Sequence, residues 1–288
     1  MVSTKFTKMH GIGNDYIYVN CFDENIDEPE KISKLVSDRR FGIGGDGLIL
    51  IMPSQKADFR MRMFNADGSE GAMCGNGTRC IGKYVYDRGL TDKKEITLET
   101  KSGIKKLSLY TDENDHVSQV KVDMGKAILM PCDIPVIADG DRFINKPVNV
   151  NGSVYNITCV SMGNPHAVIF HSDIDKIDLE KSGPYFENHK LFPDRTNTEF
   201  IEIINDKYLR MRVWERGSGE TLACGTGACA SVVAAVLNGY CRYDDETTVE
   251  LRGGNLKITY CTDGTVFMKG PATLVFDGEI NLQNFKEY

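Results

Sequence analysis

Shifted by 150 residues, this chain matches itself, and a repeat of that length constrains the fold more than any composition does. Phe-Arg-Met-Arg-Met-Phe-Asn at 59–65 falls on Leu-Arg-Met-Arg-Val-Trp-Glu at 209–215. The match continues without a gap to Cys-Gly-Asn-Gly at 74–77 over Cys-Gly-Thr-Gly at 224–227. Over 59–90 against 209–240, 8 of 32 positions are identical, where composition alone would give roughly two. Gly13-Asn14 lands on Gly163-Asn164 at the same offset, and with one residue of slippage Leu98-Glu99 meets Val249-Glu250 and Lys106 meets Lys257. Two copies are too few for a solenoid, so the expectation is a pair of pseudo-symmetric domains with a ligand in the cleft between them.

The matched unit fixes the expected boundaries. An N-terminal domain takes in 1–122 and regains 271–288; a C-terminal domain takes in 123–270. The segment from about 123 to 162, with Pro131, Pro135 and Pro147, lies outside the match and reads as a link followed by the first strands of the second domain. Within each unit, short apolar or alternating runs bounded by Gly, Asp and Asn read as strands, among them 16–19, 48–51, 59–64 and 96–98. Gly77 to Arg88 and Gly227 to Asn238 read as helices, each followed by a glycine, Gly89 or Gly239, suited to a left-handed C-terminal cap. The second helix carries no charge on any face from Ala228 to Leu237 and is expected to be buried all round. The fold class is therefore α+β, each domain a curled, mostly antiparallel sheet around a central helix.

The repeat places Cys74 and Cys224 at equivalent positions, each in a Gly-rich turn before a helix. A helix start favours negative charge, which lowers a thiol's pKa and leaves backbone amides for a carboxylate. Inverting a stereocentre needs a base on one face and an acid on the other, and two cysteines in opposite protonation states supply both. A carbanion next to a carboxylate needs electrostatic stabilisation, which backbone amides of both Cys-Gly-x-Gly turns would give. A lone cysteine in such a turn reads as a small buried apolar residue; a matched pair does not. Cys80 and Cys229 lie on other faces of the helices and read as core, while Cys21, Cys132, Cys159, Cys241 and Cys261 sit outside any motif. None of these spacings is Cys-x-x-Cys, so no zinc or other metal site is expected.

Bulk properties narrow the partners. A net charge of −7 without a basic run argues against nucleic acid, which needs clustered Lys and Arg. No apolar run approaches the roughly 20 residues that span a bilayer, and the N-terminus lacks the apolar stretch of a signal peptide. A cytoplasmic protein acting on a small molecule is expected, its nine cysteines mostly free thiols.

These motifs together resemble the diaminopimelate epimerase family. They are Lys8-Met9-His10-Gly11-x-Gly13-Asn14-Asp15, Arg39-Arg40-x-Gly42-Ile43-Gly44-x-Asp46-Gly47, Phe64-Asn65-Ala66-Asp67-Gly68-Ser69, Met73-Cys74-Gly75-Asn76-Gly77-x-Arg79-Cys80, Gly163-Asn164-Pro165-His166, Arg195-Thr196-Asn197, and Trp214-Glu215-Arg216-Gly217 to Cys224-Gly225-Thr226-Gly227. The resemblance implies interconversion of L,L- and meso-diaminopimelate in lysine and cell-wall precursor synthesis, with no pyridoxal phosphate, no metal, and a homodimer. It implies Cys74 and Cys224 as the acid and base. Asn14, Asn65, Asn164, Asn197 and Arg216 would hold the substrate's far end and carboxylates, Glu215 its reacting amino group, and Gly75-Asn76 with Gly225-Thr226 the reacting carboxylate. His166 and Glu215 would adjust the thiols. Asn offers donors and acceptors and Arg forks onto a carboxylate, in keeping with a substrate that has two amino-acid ends. One departure stands out: many relatives have Gln where this chain has Gly47.

Three rivals follow from the same residues. Proline racemase and hydroxyproline epimerase share the two-thiol logic but act on a ring, which needs no Asn/Arg set for a second amino-acid end. A thiol redox or metal-binding protein would bring cysteines together at short spacing, and an amino-acid-binding protein would not need the thiols. Mild oxidation joining Cys74 to Cys224 is a further expectation of two sulfurs flanking one carbon.

Overall fold

A computed structural model describes residues 3–282. Two compact units are found: 3–122 with 270–282, and Asp123–Lys269. Re-entry into the first unit thus falls at Gly270, against 271 from the sequence; residues 1–2 and 283–288 of the expected N-terminal domain lie outside the described residues.

The first unit runs β1 (Thr4–Gly11), β2 (Asn14–Asn20), α1 (Pro29–Ser37), β3 (Gly47–Met52), β4 (Phe59–Asn65), β5 (Glu70–Gly71), α2 (Gly75–Asp87), β6 (Glu95–Thr100), β7 (Gly103–Thr111) and β8 (Val117–Lys126), whose last residues lead out of the unit. The second runs β9 (Lys146–Val150), β10 (Ser153–Ser161), β11 (Pro165–Phe170), α3 (Leu179–Glu187), β12 (Asn197–Asn205), β13 (Tyr208–Glu215), β14 (Gly219–Glu220), α4 (Gly225–Leu237), β15 (Glu246–Leu251), β16 (Gly254–Tyr260) and β17 (Thr265–Gly270). The chain then adds β18 (Thr273–Ile280) to the first unit.

The pairings repeat with the sequence. β1–β2 is antiparallel, β2–β3 parallel, β3–β4 antiparallel, β4–β6 parallel and β6–β7 antiparallel. β10–β11, β11–β12, β12–β13, β13–β15 and β15–β16 follow in the same senses. Each sheet is mostly antiparallel and of α+β type, as expected. The symmetry reaches further than the sequence match: β18 pairs antiparallel with β1, and β9 pairs antiparallel with β10. β18 thus has its counterpart in β9, but one ends its unit and the other comes before the matched strands of its own, so no sliding of the sequence could align them.

Each central helix is wrapped by its sheet. α4 packs against β10, β11, β12, β13, β15 and β16, and every residue from Gly227 to Val236 is buried. The uncharged sequence explains this, because any charge there would be desolvated without a partner. The opposite face of each sheet carries a second helix. α1 covers Leu48 and Leu50 of β3, in a core with Phe6, Ile17, Val19, Val36 and Phe64. α3 closes a core that includes Phe186, Phe200 and Trp214. These outer helices lie 150 residues apart but share only the Glu and Lys at 30–31 and 180–181, too little to read from sequence. A strand covered on both faces alternates its side chains between two helices. Hence Leu48 and Leu50 face α1, while Ile49 reaches the start of α2, where a Cβ on Gly77 would meet its Cδ1 at 2.6 Å.

Candidate active site

Both central helices start two residues earlier than the sequence suggested, at Gly75 and Gly225, and their N-caps are the two cysteines. Cys74 and Cys224 have extended backbones, and each sulfur accepts from the N–H three residues on, Gly77 or Gly227, at 3.4 Å. A thiolate sulfur can do what an N-cap oxygen does, so the helix starts at the thiol and not after it. The far ends close alike. Gly89 and Gly239 are left-handed (φ 70° and 80°), and the N–H groups of Leu90 and Tyr240 reach back to Val85 and Ala235, the bonding of a Schellman cap.

In the first unit, Cys74 donates to Asn14 Oδ1 at 3.3 Å, and Asn76 Nδ2 donates to the same oxygen at 3.2 Å. Asn14 is held from its other end, Nδ2 donating to Asp46 Oδ2 at 2.7 Å. Arg39 bonds both Asp15 and Asp46, and Lys8 lies 2.6 Å from Asp15. Burial raises Asp15, but the hydrogen bonds and charges of Arg39 and Lys8 outweigh it and hold the carboxyl below its usual range. Burial and the neighbouring Asp15 charge push Asp46 up. Asn65 does not join this group through its amide, which is tied to Ser69 at 3.0 Å.

Gly47 takes its meaning here. A Cβ at that position would collide with the Phe64 carbonyl and lie 2.8 Å from the Tyr16 ring. A side chain at position 47 would thus need the backbone or Tyr16 to shift.

The second unit's thiol sits in a different electrical setting. Cys224 is 4% exposed. Its sulfur lies 3.6 Å from Thr226 Oγ1, which accepts from Asn164 Nδ2 at 3.3 Å. Asn164 Oδ1 meets His166 Nε2 at 3.1 Å, and His166 Nδ1 meets Glu199 Oε1 at 2.6 Å. Glu215, held by Thr221, faces Cys224. The helix-start argument predicts a lowered pKa for this thiol; the structure shows the reverse. Burial first, then the Glu215 and Glu199 charges, push Cys224 well above the ordinary range, and the Thr226 and Gly227 donors only partly offset them. Burial likewise raises Glu215, with Thr221, Cys224 and His166 acting against it.

Two expected substrate contacts are braced by the fold. Asn197 Nδ2 donates to the Pro165 carbonyl and its Oδ1 accepts from the Arg216 N–H. Glu187, buried, bonds Arg195, Trp214 Nε1 and the Gly217 N–H. Together they shape the turn that carries Glu215 and Arg216. Sequence reasoning passed over Asp46, Glu187 and Glu199. For Glu199 a signal was present: it is a charge at the repeat position of the apolar Ile49. Cys80 and Cys229 are fully buried core residues. All nine cysteines are free, and among the described residues no three His, Cys, Asp or Glu side chains group as metal ligands.

Solved structures share this fold at low identity. The phenazine biosynthesis protein of Bacillus anthracis superposes with a TM-score of 0.73 at 20% identity, covering 98% of this chain and all of that one. A hydroxyproline epimerase from Agrobacterium vitis, with bound trans-4-hydroxy-L-proline, gives 0.71 at 14%, covering 98% and 93%. The fold is thus one that a hydroxyproline epimerase and a phenazine biosynthesis protein share, and relatives of much higher identity make the chain an isomerase of the epimerase class. Within that class the chain belongs to the diaminopimelate epimerase family: the family's sequence model matches residues 6–130 and 158–275. The diaminopimelate epimerase of Agathobacter rectalis is 60% identical, over 96% of this chain and 99% of that one.

Proposed function

We propose that this isomerase interconverts L,L- and meso-diaminopimelate, in lysine and cell-wall precursor synthesis, using Cys74 and Cys224 as its two acid–base groups and no cofactor. One thiolate takes the α-proton, and the bond pair it leaves passes into the carboxylate as an enediolate. The other thiol returns a proton to the opposite face, so protons balance and the thiolate has changed sides. Gly75, Gly225 and Thr226 open their helices, where backbone amides have no intrahelical acceptor and favour an anion; with Asn76 they are assigned the reacting carboxylate. Asn14, Asn65, Asn164, Asn197 and Arg216 are assigned the remaining polar groups, Asn197 by fixing the Arg216 backbone, and Glu215 the reacting ammonium. His166 and Glu215 adjust Cys224.

The observation that carries this reading is the pair of thiols as N-caps of symmetry-related helices, in a chain whose family is named for an epimerase. With L,L-diaminopimelate in D₂O and no added cofactor, wild type should take up α-deuterium as it epimerises. Cys74→Ala and Cys224→Ala should each lose about 10²- to 10⁴-fold in kcat. Undiminished epimerisation by either variant would sink the two-thiol reading.

Among the described residues no helix is long and apolar enough to cross a membrane; we place the enzyme in the cytoplasm with its substrate. A homodimer is supported by β18, where Leu274, Val275 and Phe276 are all exposed on successive positions, hence on both faces of the strand. Phe276→Asp should halve the mass in sedimentation; a wild-type chain that sediments as a monomer contradicts the dimer.

A further inference from the structure

Glu199 has no place in the function just given. It is fully buried on β12 beside fully buried His166 on β11, and its Oε2 finds no hydrogen-bonding partner among the described residues. A half-satisfied carboxylate in a core is costly. Removing it altogether is structurally feasible, since the first unit builds the same place with Ile49 and Tyr16 where the second has Glu199 and His166. The polar pair is therefore not what the fold requires there.

Its position explains it better. A Cβ on Gly227 would meet Glu199 Oε1 at 2.7 Å and Cys224 Sγ at 3.2 Å, so carboxylate and thiol flank the same glycine. From Glu199 a continuous path of polar contacts leads through His166, Asn164 and Thr226 to Cys224, at 2.6, 3.1, 3.3 and 3.6 Å. Both ring nitrogens of His166 face acceptors. His166 Nε2–H donates to the Asn164 oxygen while Nδ1 shares a proton with Glu199, so the carboxyl fixes the ring from the side away from Asn164. Asn164 Oδ1 is then held toward the ring and its amide toward Thr226. With its lone pair engaged by that amide, the Thr226 hydroxyl has its own proton left for sulfur.

We propose that Glu199 is a positioning residue for the epimerisation, acting through His166, Asn164 and Thr226 to aim a hydroxyl donor at the Cys224 sulfur. This rests on Cys224 being one of the two catalytic thiols. In each turnover Cys224 must carry negative charge, and it does so while buried beside Glu215 and Glu199, the two carboxylates that face it. A donor fixed in advance supports that charge without reorganisation. The titratable groups around the path are Glu199, His166, Glu215, Cys224 and Cys159, the last feeling the Glu199 charge.

The test uses Glu199→Gln, which keeps shape and an acceptor but removes the charge. Its kcat should fall about 10- to 100-fold with KM changed by no more than about two-fold, the pattern for a group that acts in the transition state and not in substrate binding. In ¹⁵N spectra of labelled histidine, wild type should show the His166 proton on Nε2, coupled across the hydrogen bond to Asn164, and Glu199→Gln should move the Nδ1 signal. The wild-type spectrum decides the matter even where the variant folds poorly. Unchanged kcat in a folded Glu199→Gln, or a bare Nε2 on His166 in wild type, overturns the proposal. If Cys224→Ala is inactive while Glu199→Gln is not, only the relay fails; if Cys224→Ala is active, the two-thiol reading fails first.

Discussion

The two units build one scaffold and wire it differently. Each has its thiol as the N-cap of a central helix, a sulfur–amide bond of the same length, and an Asn at the tip of a strand pair. Around this common frame the first unit places Tyr16, Ile49, Asn65 and Asn76, and the second His166, Glu199, Glu215 and Thr226. Asn14 turns its carbonyl oxygen toward Cys74 and its amide toward Asp46; Asn164 turns its amide toward Thr226 and the Cys224 side. The first arrangement accepts the thiol's proton in a hydrogen bond, and the second offers a donor to the sulfur. Symmetry thus supplies two equivalent thiols, and the substitutions around them give each a different setting.

The comparison can be broken by exchanging the wiring. Ile49→Glu puts the second unit's carboxylate into the first, where no imidazole awaits it and the site is fully buried. An unpaired buried charge should cost about 4 kcal/mol, and thermal unfolding should fall by roughly 10 °C. The reverse exchange, His166→Tyr with Glu199→Ile, removes a paired charge in favour of apolar groups, which is often neutral for stability. It should unfold within about 3 °C of wild type while its kcat drops as far as that of Glu199→Gln or further. A double variant that keeps wild-type turnover would show the two settings to be interchangeable. An Ile49→Glu protein as stable as wild type would show that the two cores do not differ in the way described.

How much of this was legible follows the same division. The repeat, the helix ends at Gly89 and Gly239, the buried helix from Ala228 to Leu237 and the paired thiols are local patterns, and a single sequence carries local patterns well. The outer helices were not legible, because their faces need only be apolar toward one sheet and so their identities drifted apart. The β9 and β18 pairings escaped because chain order does not encode which edge strand comes first. At the site, the cysteines could be read from their repetition, whereas Glu199 could be read only as an oddity: its meaning depends on His166, 33 residues away, and on Gly227. The sign of the Cys224 shift was lost for a related reason. Position at a helix start is written in sequence, but burial and two neighbouring carboxylates are written in the fold, and here they outweigh it.

That sign gives the finest test. A negative neighbour disfavours the thiolate, so neutralising it must lower the Cys224 pKa, and removing a donor to sulfur must raise it. In Glu215→Gln the rise of thiolate ultraviolet absorbance from Cys224, followed in a Cys74→Ala background, should move to lower pH by about one unit. In Thr226→Val, which keeps the backbone amide but loses the hydroxyl, it should move to higher pH by a smaller step, about half a unit, the size of a single neutral hydrogen bond in these terms. Neither change should alter the titration of Cys74 measured in a Cys224→Ala background, since both groups belong to the second unit's setting. Two shifts of the same sign would mean that Cys224 responds to packing and not to charge and hydrogen bonding. The inequality of the two thiols would then have to come from somewhere other than the residues that surround them.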